Sequence, residues 1–287
     1  MDNSRDIRRR IKSIGSTAQI TRAMQMVAAS KMRKAQDAAL AGRPFVRLIY
    51  RFQREATSAT REFNHPLVAV RPVQKRAVIL VAADKGLCGA LNSNLFRLAT
   101  QFDPASTVFI TAGRKAAQFV AGTRRQLIAE FAYGDSPTYA EARAIAGFAR
   151  DLFLQKEVDE VRVLATRFVN TLTQHPVSLE YLPVGEIKGL EIPGAPRDED
   201  FAISKDTRFE PGPAAFLGYL LSHYLNIYIY QVLLNAKASE QSARMVSMKN
   251  ATDNAENLID DLTLEYNQLR QANITKELLE IAGGQAG

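Results

Sequence analysis

The chain contains very little cysteine and histidine, and no tryptophan. Among its 287 residues there are one cysteine, Cys88, and three histidines. A single cysteine excludes a disulfide within the chain and a zinc site built from several thiolates. His65, His175 and His223 lie far apart in the sequence, and none falls in a spacing typical of metal ligands. We therefore expect neither a metal ion nor a cofactor.

Long apolar runs are also missing. No run reaches the roughly 18 residues that a membrane-spanning helix needs. The N-terminal residues MDNSRDIRRR are charged from the start, which predicts neither a secretory signal nor a transit peptide. The share of apolar residues is that of an ordinary globular protein. These features predict a cytoplasmic bacterial protein.

Nucleotide-binding motifs are absent from the sequence as well. It contains no G-x-x-x-x-G-K-[ST] phosphate loop. Gly86-Leu87-Cys88-Gly89 lies between a predicted strand and a predicted helix, but its spacing does not match G-x-G-x-x-G. We interpret this segment as a structural turn rather than a nucleotide site. Cys88 is interpreted as a buried small residue rather than a nucleophile.

The two ends of the chain carry opposite charge. Residues 1–60 hold thirteen basic side chains against four acidic ones, whereas residues 238–287 hold four basic against eight acidic. The opposite signs predict that the two ends bind each other or a third surface. A basic N-terminal segment alone would also fit a nucleic-acid partner.

Residues 1–60 have the pattern of a long helix. Apolar and small residues recur at alternating spacings of four and three, which is the heptad seam of a coiled coil. The seam residues are Ile7, Ile11, Ile14, Ala18, Thr21, Gln25, Ala28, Met32, Ala35 and Ala39. Ile20, Met24 and Val27 form a second stripe, as expected for a helix packed inside a sleeve. The segment Gly42-Arg43-Pro44 predicts a bend, since proline removes a helix hydrogen bond.

The periodicity changes in the middle of the chain. Ala77–Ala83 is a continuous apolar run, typical of a strand buried on both faces. Further strands are predicted at Thr107–Thr111, Gln126–Phe131, Val161–Phe168 and Val177–Val184. Asn92 or Ser93 is predicted to cap a helix that runs to about Gln101. Further helices are predicted from Arg114 and over Thr138–Lys156. The alternation of strands and helices predicts a Rossmann-like α/β domain with a mainly parallel sheet.

Residues 213–287 predict a second long helix. Pro213 suits its first turn, and Gly283-Gly284 suits its end. Its heptad seam consists of Ala238, Gln241, Met245, Met248, Thr252, Ala255, Ile259, Leu262, Tyr266, Leu269 and Asn273. At 1.5 Å per residue such a helix is roughly 100 Å long, so it needs another helix beside it.

These patterns together predict an α/β fold combined with a long antiparallel coiled coil. The coiled coil pairs an N-terminal helix, residues 1–60, with a C-terminal helix, residues 213–287. A connector (61–75), the α/β domain (76–185) and a loop (186–212) are inserted between the two helices.

Three segments resemble the gamma subunit of F-type ATP synthases. They are Ile7–Gln36, Asp84–Arg97 and Ser239–Ile281, and their order and positions agree with that family. The sequence departs from the family mildly, with Ala90 in place of a usual glycine and Ala18-Gln19 in place of a common Gln-Lys pair. The family's chloroplast insertion, which carries cysteines, is absent.

The resemblance implies a non-catalytic rotor subunit of a proton-transporting ATP synthase. Its implied partners are a ring of three alpha and three beta subunits, the epsilon subunit and the membrane c-ring, with one copy per complex. The implied location is peripheral, on the cytoplasmic side of the bacterial inner membrane. The residues that match positions contacting beta subunits in the family are Met24, Lys31, Arg33, Lys34, Arg244, Arg270, Gln271 and Thr275.

Two other functions fit parts of the sequence. One is a basic coiled-coil protein that binds nucleic acid, although the acidic C-terminal helix would neutralise much of the basic segment. The other is a small Rossmann-like enzyme with helical arms. Salt-dependent DNA binding would favour the first alternative, and binding of NAD or ATP by the isolated chain would favour the second.

Overall fold

The chain begins and ends in long helices, with strands and shorter helices alternating between them. The computed structural model describes residues 2–58, 65–184, 210 and 212–284. The elements are α1 (Asp2–Ala41), α2 (Arg43–Ser58), a 3₁₀ turn (Pro66–Val68), β1 (Arg76–Val81), α3 (Leu91–Ala99), β2 (Thr107–Ala112), α4 (Arg114–Gly122), β3 (Gln126–Phe131), α5 (Tyr139–Leu154), β4 (Glu160–Phe168), β5 (Gln174–Leu182) and α6 (Pro213–Gly284). Two compact units divide these elements: residues 1–28 with 244–287, and residues 29–243.

The sheet of the larger unit has the strand order β3-β2-β1-β4-β5. Strand β1 pairs in parallel with β2 and β4, and β2 pairs in parallel with β3, while β4 and β5 are antiparallel. The mainly parallel sheet predicted from the sequence is thus confirmed. The direction of β5 follows from its connection, because the turn at residues 169–173 is far too short for the crossover that parallel strands require.

Helices cover both faces of the sheet. On one face, Ile79 and Val163 belong to an apolar cluster with Ile145 and Phe153 of α5 and Leu225 of α6. The opposite face carries a smaller cluster from β1, β2, β4, α3 and α4, whose members include Val78, Leu80, Leu95, Phe109 and Val120. Strand β1 contributes to both clusters, which accounts for the unbroken apolar run in its sequence.

The N-cap predicted for α3 was wrong, whereas the start of α5 was predicted correctly. Helix α3 begins at Leu91, and its N-cap is Ala90, which makes no side-chain capping bond. Neither Asn92 nor Ser93 is the cap. The Asn92 side-chain oxygen instead accepts a hydrogen bond from the Ala83 amide at 3.3 Å, so its side chain joins α3 to the end of β1. Thr138 caps α5 through a capping box with Glu141.

Helix α1 ends where the bend was predicted. It stops at Ala41, and α2 begins at Arg43. Gly42 lies so close to α6 that a Cβ atom at this position would overlap the carboxamide of Gln231. A larger residue at position 42 would therefore have to displace the end of the Gln231 side chain.

The smaller unit is an antiparallel pair of helical segments, residues 2–28 of α1 and 244–284 of α6. The hydroxyl groups of Thr21 and Thr252 are 2.7 Å apart, and Arg22 forms an ion pair with Glu256. Most predicted seam residues of this unit are buried or half-buried, while Asn273 is exposed. Many of these residues are small, and small residues allow the two helix axes to approach closely.

Truncating Phe153 tests the core of the larger unit. Its ring is fully buried, and the Arg71 guanidinium carbon lies 4.1 Å from the ring centroid. We expect Phe153→Ala to lower the free energy of unfolding by about 3–5 kcal/mol, because it leaves a cavity. Urea denaturation of the purified chain measures this change. Leu154→Ala, at the exposed neighbouring position, is the control, and equal effects of the two variants would contradict the predicted core.

A second stability prediction concerns Gly113, which links β2 to α4. Its φ is +95°, and a Cβ atom there would overlap the carbonyl oxygen of Ala82. We expect Gly113→Ala to destabilise the chain by at least about 1–3 kcal/mol, since backbone strain and the clash add. Gly122→Ala is the matched control, because nothing lies within 4 Å of its Cβ position. The midpoint temperatures of thermal unfolding compare the two variants. A Gly113→Ala chain that unfolds at the same temperature as the unaltered chain would contradict this explanation.

Candidate partner-binding surfaces

The crevice beyond the carboxyl ends of the parallel strands is where a Rossmann-like sheet usually binds a ligand. In this chain the Asp84 side chain accepts a hydrogen bond from the Arg114 amide, at the N-terminus of α4, at 2.9 Å. A carboxylate of the chain itself thus lies where a ligand's phosphate would bind. Cys88 is buried, and Asn92 donates a hydrogen bond to its sulfur at 3.5 Å. This geometry favours a structural turn at residues 86–89.

A cluster of charged side chains lies near the same edge, and no sequence pattern predicted it. Lys237 of α6 is only 1% exposed, and its ammonium group donates to Glu240 at 2.9 Å. The ammonium of Lys237 also lies 4.6 Å from the centroid of the Tyr133 ring. Asp135 binds Lys31 of α1 at 2.5 Å and lies 3.9 Å from Lys237. These residues come from three segments of the chain, near positions 31, 134 and 238, that lie about a hundred positions apart, so only the fold brings the segments together.

The electrostatics of this cluster follow from its contacts. The hydrogen bond from Lys31 lowers the pKa of Asp135, an effect that partial burial opposes and that nearby lysine charges reinforce. Burial raises the pKa of Tyr133 well above its usual value, and the negative charges of Glu240 and Asp84 raise it further. Asp135 is therefore ionised and Tyr133 is neutral at physiological pH.

The basic surface of α1 within the larger unit presents part of the predicted contact set. Arg33 and Lys34 are exposed, and with Ala29, Ser30 and Asp37 they line an open groove of about 370 Å³. Lys31 differs from them because its ammonium group is already paired with Asp135. The structure therefore brings Arg33 and Lys34 together at this groove, while Lys31 is engaged within the chain.

The α1 surface of the smaller unit includes an exposed apolar stripe among its basic side chains. Ile20, Met26 and Val27 are exposed, and Met24 is half-buried. Large apolar side chains that remain exposed on a helix already packed along its seam are typical of a binding surface. Met24 therefore lies at the border between the seam and this exposed stripe.

The α6 surface of the smaller unit carries the remaining predicted residues. Arg270, Gln271 and Thr275 are exposed, and the Thr275 hydroxyl donates to the Gln271 carbonyl oxygen at 2.9 Å. Exposed leucine and isoleucine side chains lie on the same part of the helix, namely Leu264, Ile274, Leu278 and Leu279. Arg244 is different, since only 9% of it is exposed. The sequence motif did not reveal that Arg244 is buried.

These surfaces can bind a protein partner by two kinds of contact. The exposed apolar side chains fit an apolar surface, and the basic groove of α1 fits acidic side chains. Within the described residues, no helix is both long and apolar enough to cross a membrane.

Solved structures resemble this fold. A chain of the mitochondrial ATP synthase of Euglena gracilis, in its OSCP/F1/c-ring assembly, superposes with a TM-score of 0.70 at 16% identity and covers 99% of this chain and 94% of its own. A chain of the Tetrahymena thermophila mitochondrial ATP synthase, in the central stalk and c-ring, gives a TM-score of 0.58 at 22% identity and covers 81% of this chain and 99% of its own. The predicted combination of an α/β domain with paired terminal helices is thus confirmed.

Sequence comparisons agree with the structural ones. The ATP synthase gamma chain of Opitutus terrae is 45% identical over 295 residues, which cover 99% of this chain and 98% of that relative. The gamma chain of Pelotomaculum thermopropionicum is 43% identical and covers 100% of this chain and 99% of its own length. The nucleic-acid-binding alternative finds no support in these relatives. Because the model of the family described as ATP synthase also matches residues 3–287, the chain belongs to the ATP synthase gamma chain family.

Proposed function

We propose that this chain is the central-stalk rotor subunit of an F-type ATP synthase. It transmits torque between an ion-driven ring in the membrane and a catalytic head of alpha and beta subunits. The observation that carries this proposal is that the family match includes both long helices and the α/β domain. The exposed apolar and basic surfaces of those helices are consistent with a helix pair enclosed by partner subunits.

The chain acts in this proposal without a catalytic site of its own. Its two helices carry opposite net charge, so the pair presents a basic surface on the side of one helix and an acidic surface on the side of the other. Identical partners placed around it therefore make different contacts, and the angle of the pair determines which conformation each partner adopts. Solvated ion pairs are individually weak, which allows the contacts to break and re-form during rotation.

The proposed contact residues for the beta subunits fall into two groups. Met24, Lys31, Arg33 and Lys34 lie on α1, and Arg244, Arg270, Gln271 and Thr275 lie on α6. In the second group Arg270, Gln271 and Thr275 are available on the surface, whereas Arg244 becomes available only if its surroundings move. In the first group Arg33 and Lys34 are exposed, and Lys31, whose side chain is 40% exposed, would contact a partner while it remains paired with Asp135.

The remaining partners and the location are also proposals. The α/β domain, residues 76–185, would contact the epsilon subunit and the c-ring. One copy of the chain would serve each ring of three alpha and three beta subunits. The complex would be peripheral to the bacterial inner membrane on its cytoplasmic side.

Reconstitution tests the proposed function directly. The purified chain is mixed with the alpha and beta subunits of its own organism, and the mass of the complex and its Mg-ATP hydrolysis are measured with and without the chain. We expect a complex of three alpha, three beta and one copy of this chain, with hydrolysis that depends on the chain. A chain that stays apart and leaves hydrolysis unchanged would reject the rotor function.

The proposed α6 contact predicts the effect of a double substitution. We expect Arg270→Ala with Gln271→Ala to lower ATP hydrolysis by the assembled complex about five-fold, because truncating an interface arginine costs on the order of 1 kcal/mol. The control is Arg114→Ala with Gln118→Ala, which removes an exposed arginine and glutamine from α4. Unchanged hydrolysis and unchanged ion pumping in the first variant would remove Arg270 and Gln271 from the contact set.

A further inference from the structure

Asp135 lies where three parts of the larger unit meet. It follows β3, and its Oδ2 atom is 2.5 Å from the Nζ atom of Lys31 on α1. Its other oxygen, Oδ1, is 3.9 Å from the Nζ atom of Lys237 on α6. One carboxylate therefore bridges both long helices and the segment that leaves the sheet.

Lys237 connects this carboxylate to the interior of the domain. Its ammonium group binds Glu240 and lies against the ring of Tyr133. The Tyr133 hydroxyl in turn donates to the Ala82 carbonyl oxygen, just beyond the end of β1, at 3.0 Å. An ammonium group this well buried is costly unless its contacts persist, so the side chains around Lys237 are held in place.

The next turn of α6 is also bound to the sheet by hydrogen bonds. The Ser239 hydroxyl donates to the Thr166 carbonyl oxygen of β4 at 3.3 Å. The Ser242 hydroxyl donates to the Thr171 carbonyl oxygen, in the turn between β4 and β5, at 2.8 Å. Residues 237–242 of α6 are thus fixed to the domain, and Asp135 extends this attachment to α1.

We propose that Asp135 is the joint through which rotation of the α/β domain is passed to both long helices. This inference rests on the proposed rotor function. When either helix turns relative to the sheet, a charge-assisted hydrogen bond breaks or two opposite charges separate, and both changes cost free energy. Asp135 is a positioning residue in this role, since it fixes the helices and touches no substrate.

Asp151 offers a closely matched control for Asp135. The side chains are 53% and 54% exposed respectively, and each carboxylate forms an ion pair. Asp151, however, pairs with the adjacent Arg150 on the same helix, so its ion pair joins no separate elements. Replacing either aspartate by asparagine removes one exposed charge, but only Asp135→Asn loosens the contact between α1, α6 and the sheet.

Angular fluctuations of the α/β domain within the assembled complex report how tightly Asp135 couples the domain to the two helices. The alpha and beta ring is immobilised, and an optical probe is attached to the α/β domain through Glu157→Cys, an exposed position, while Cys88 is buried. We expect Asp135→Asn to increase the variance of the probe angle, because the lost ion pair opposed rotation of the helices relative to the sheet. Asp151→Asn should leave the variance unchanged. A role limited to folding would alter the yield of complex and not this variance.

Cross-linking provides the complementary variant. In the isolated chain, without the Glu157 substitution, the pair Lys31→Cys and Asp135→Cys joined by a short bifunctional thiol reagent should restore the original amide-exchange rate at residues 29–41, and the unlinked pair should resemble Asp135→Asn. An unchanged variance in Asp135→Asn, within a complex that assembles and hydrolyses ATP, would overturn the proposal. Faster amide exchange in Asp135→Asn together with exchange that the cross-link does not slow would overturn it too.

Amide hydrogen exchange tests the role of Asp135 independently of the rotor function. In the isolated chain, Asp135→Asn should accelerate amide exchange at residues 29–41 of α1 about two- to five-fold relative to Asp151→Asn. This measurement requires no partner subunit and also applies if a variant fails to assemble. Equal exchange in the two variants would reject the joint, whereas a failed reconstitution of the unaltered chain would reject the rotor function alone.

Discussion

A continuous helix of 72 residues, α6, imposes the main physical constraint on this chain. Most helical stability in proteins comes from packing an apolar face, so a helix of this length must be covered along successive stretches. In the larger unit Leu221, Leu225 and Ile229 pack in the core of the sheet. In the smaller unit Thr252 meets Thr21, and the rest of the seam is mostly buried. The N-terminal helix and the sheet both serve to cover α6.

Charged side chains are buried near residue 237, where α6 passes from packing on the sheet to packing in the helix pair. Apolar contacts bury α6 up to Ala236, and the next residue, Lys237, is a buried ammonium group. A buried ion pair contributes little net stability compared with apolar packing, but it demands a particular geometry. The cluster with Glu240 and Asp135 therefore fixes the position of α6 more than it strengthens the fold.

Local patterns in the sequence predicted those elements whose structure depends on nearby residues. The strand Gln126–Phe131 was predicted to the residue, the break at Gly42 was found, and the heptad seams were located. These features depend on periodicity and on the backbone preferences of glycine and proline. The Rossmann-like order of strands and helices followed from the same signals.

Features that depend on contacts between distant residues were missed. Asn92 was expected to cap α3, but a hydrogen bond to the distant Ala83 amide determines its orientation. The contact between Lys31 and Asp135 spans 104 positions, and no local pattern indicates it. Arg244 belongs to a recognisable motif, yet its burial is a property of the folded chain alone. Motifs therefore identified the candidate surfaces, and the structure showed which residues in them are accessible.

The pair of threonines in the coiled-coil seam has a consequence for motion along the helix axes. Thr21 and Thr252 share a hydrogen bond 2.7 Å long in a buried position. If the helices slid past each other by one heptad, each hydroxyl would face an apolar neighbour and keep only the bond to a carbonyl of its own helix. Losing the shared hydrogen bond costs about 0.5–1.5 kcal/mol. A polar pair in an apolar seam thus selects one register, as a single buried polar residue does in other coiled coils. Under a force along their axes, the two helices therefore resist sliding past each other and bear the load together.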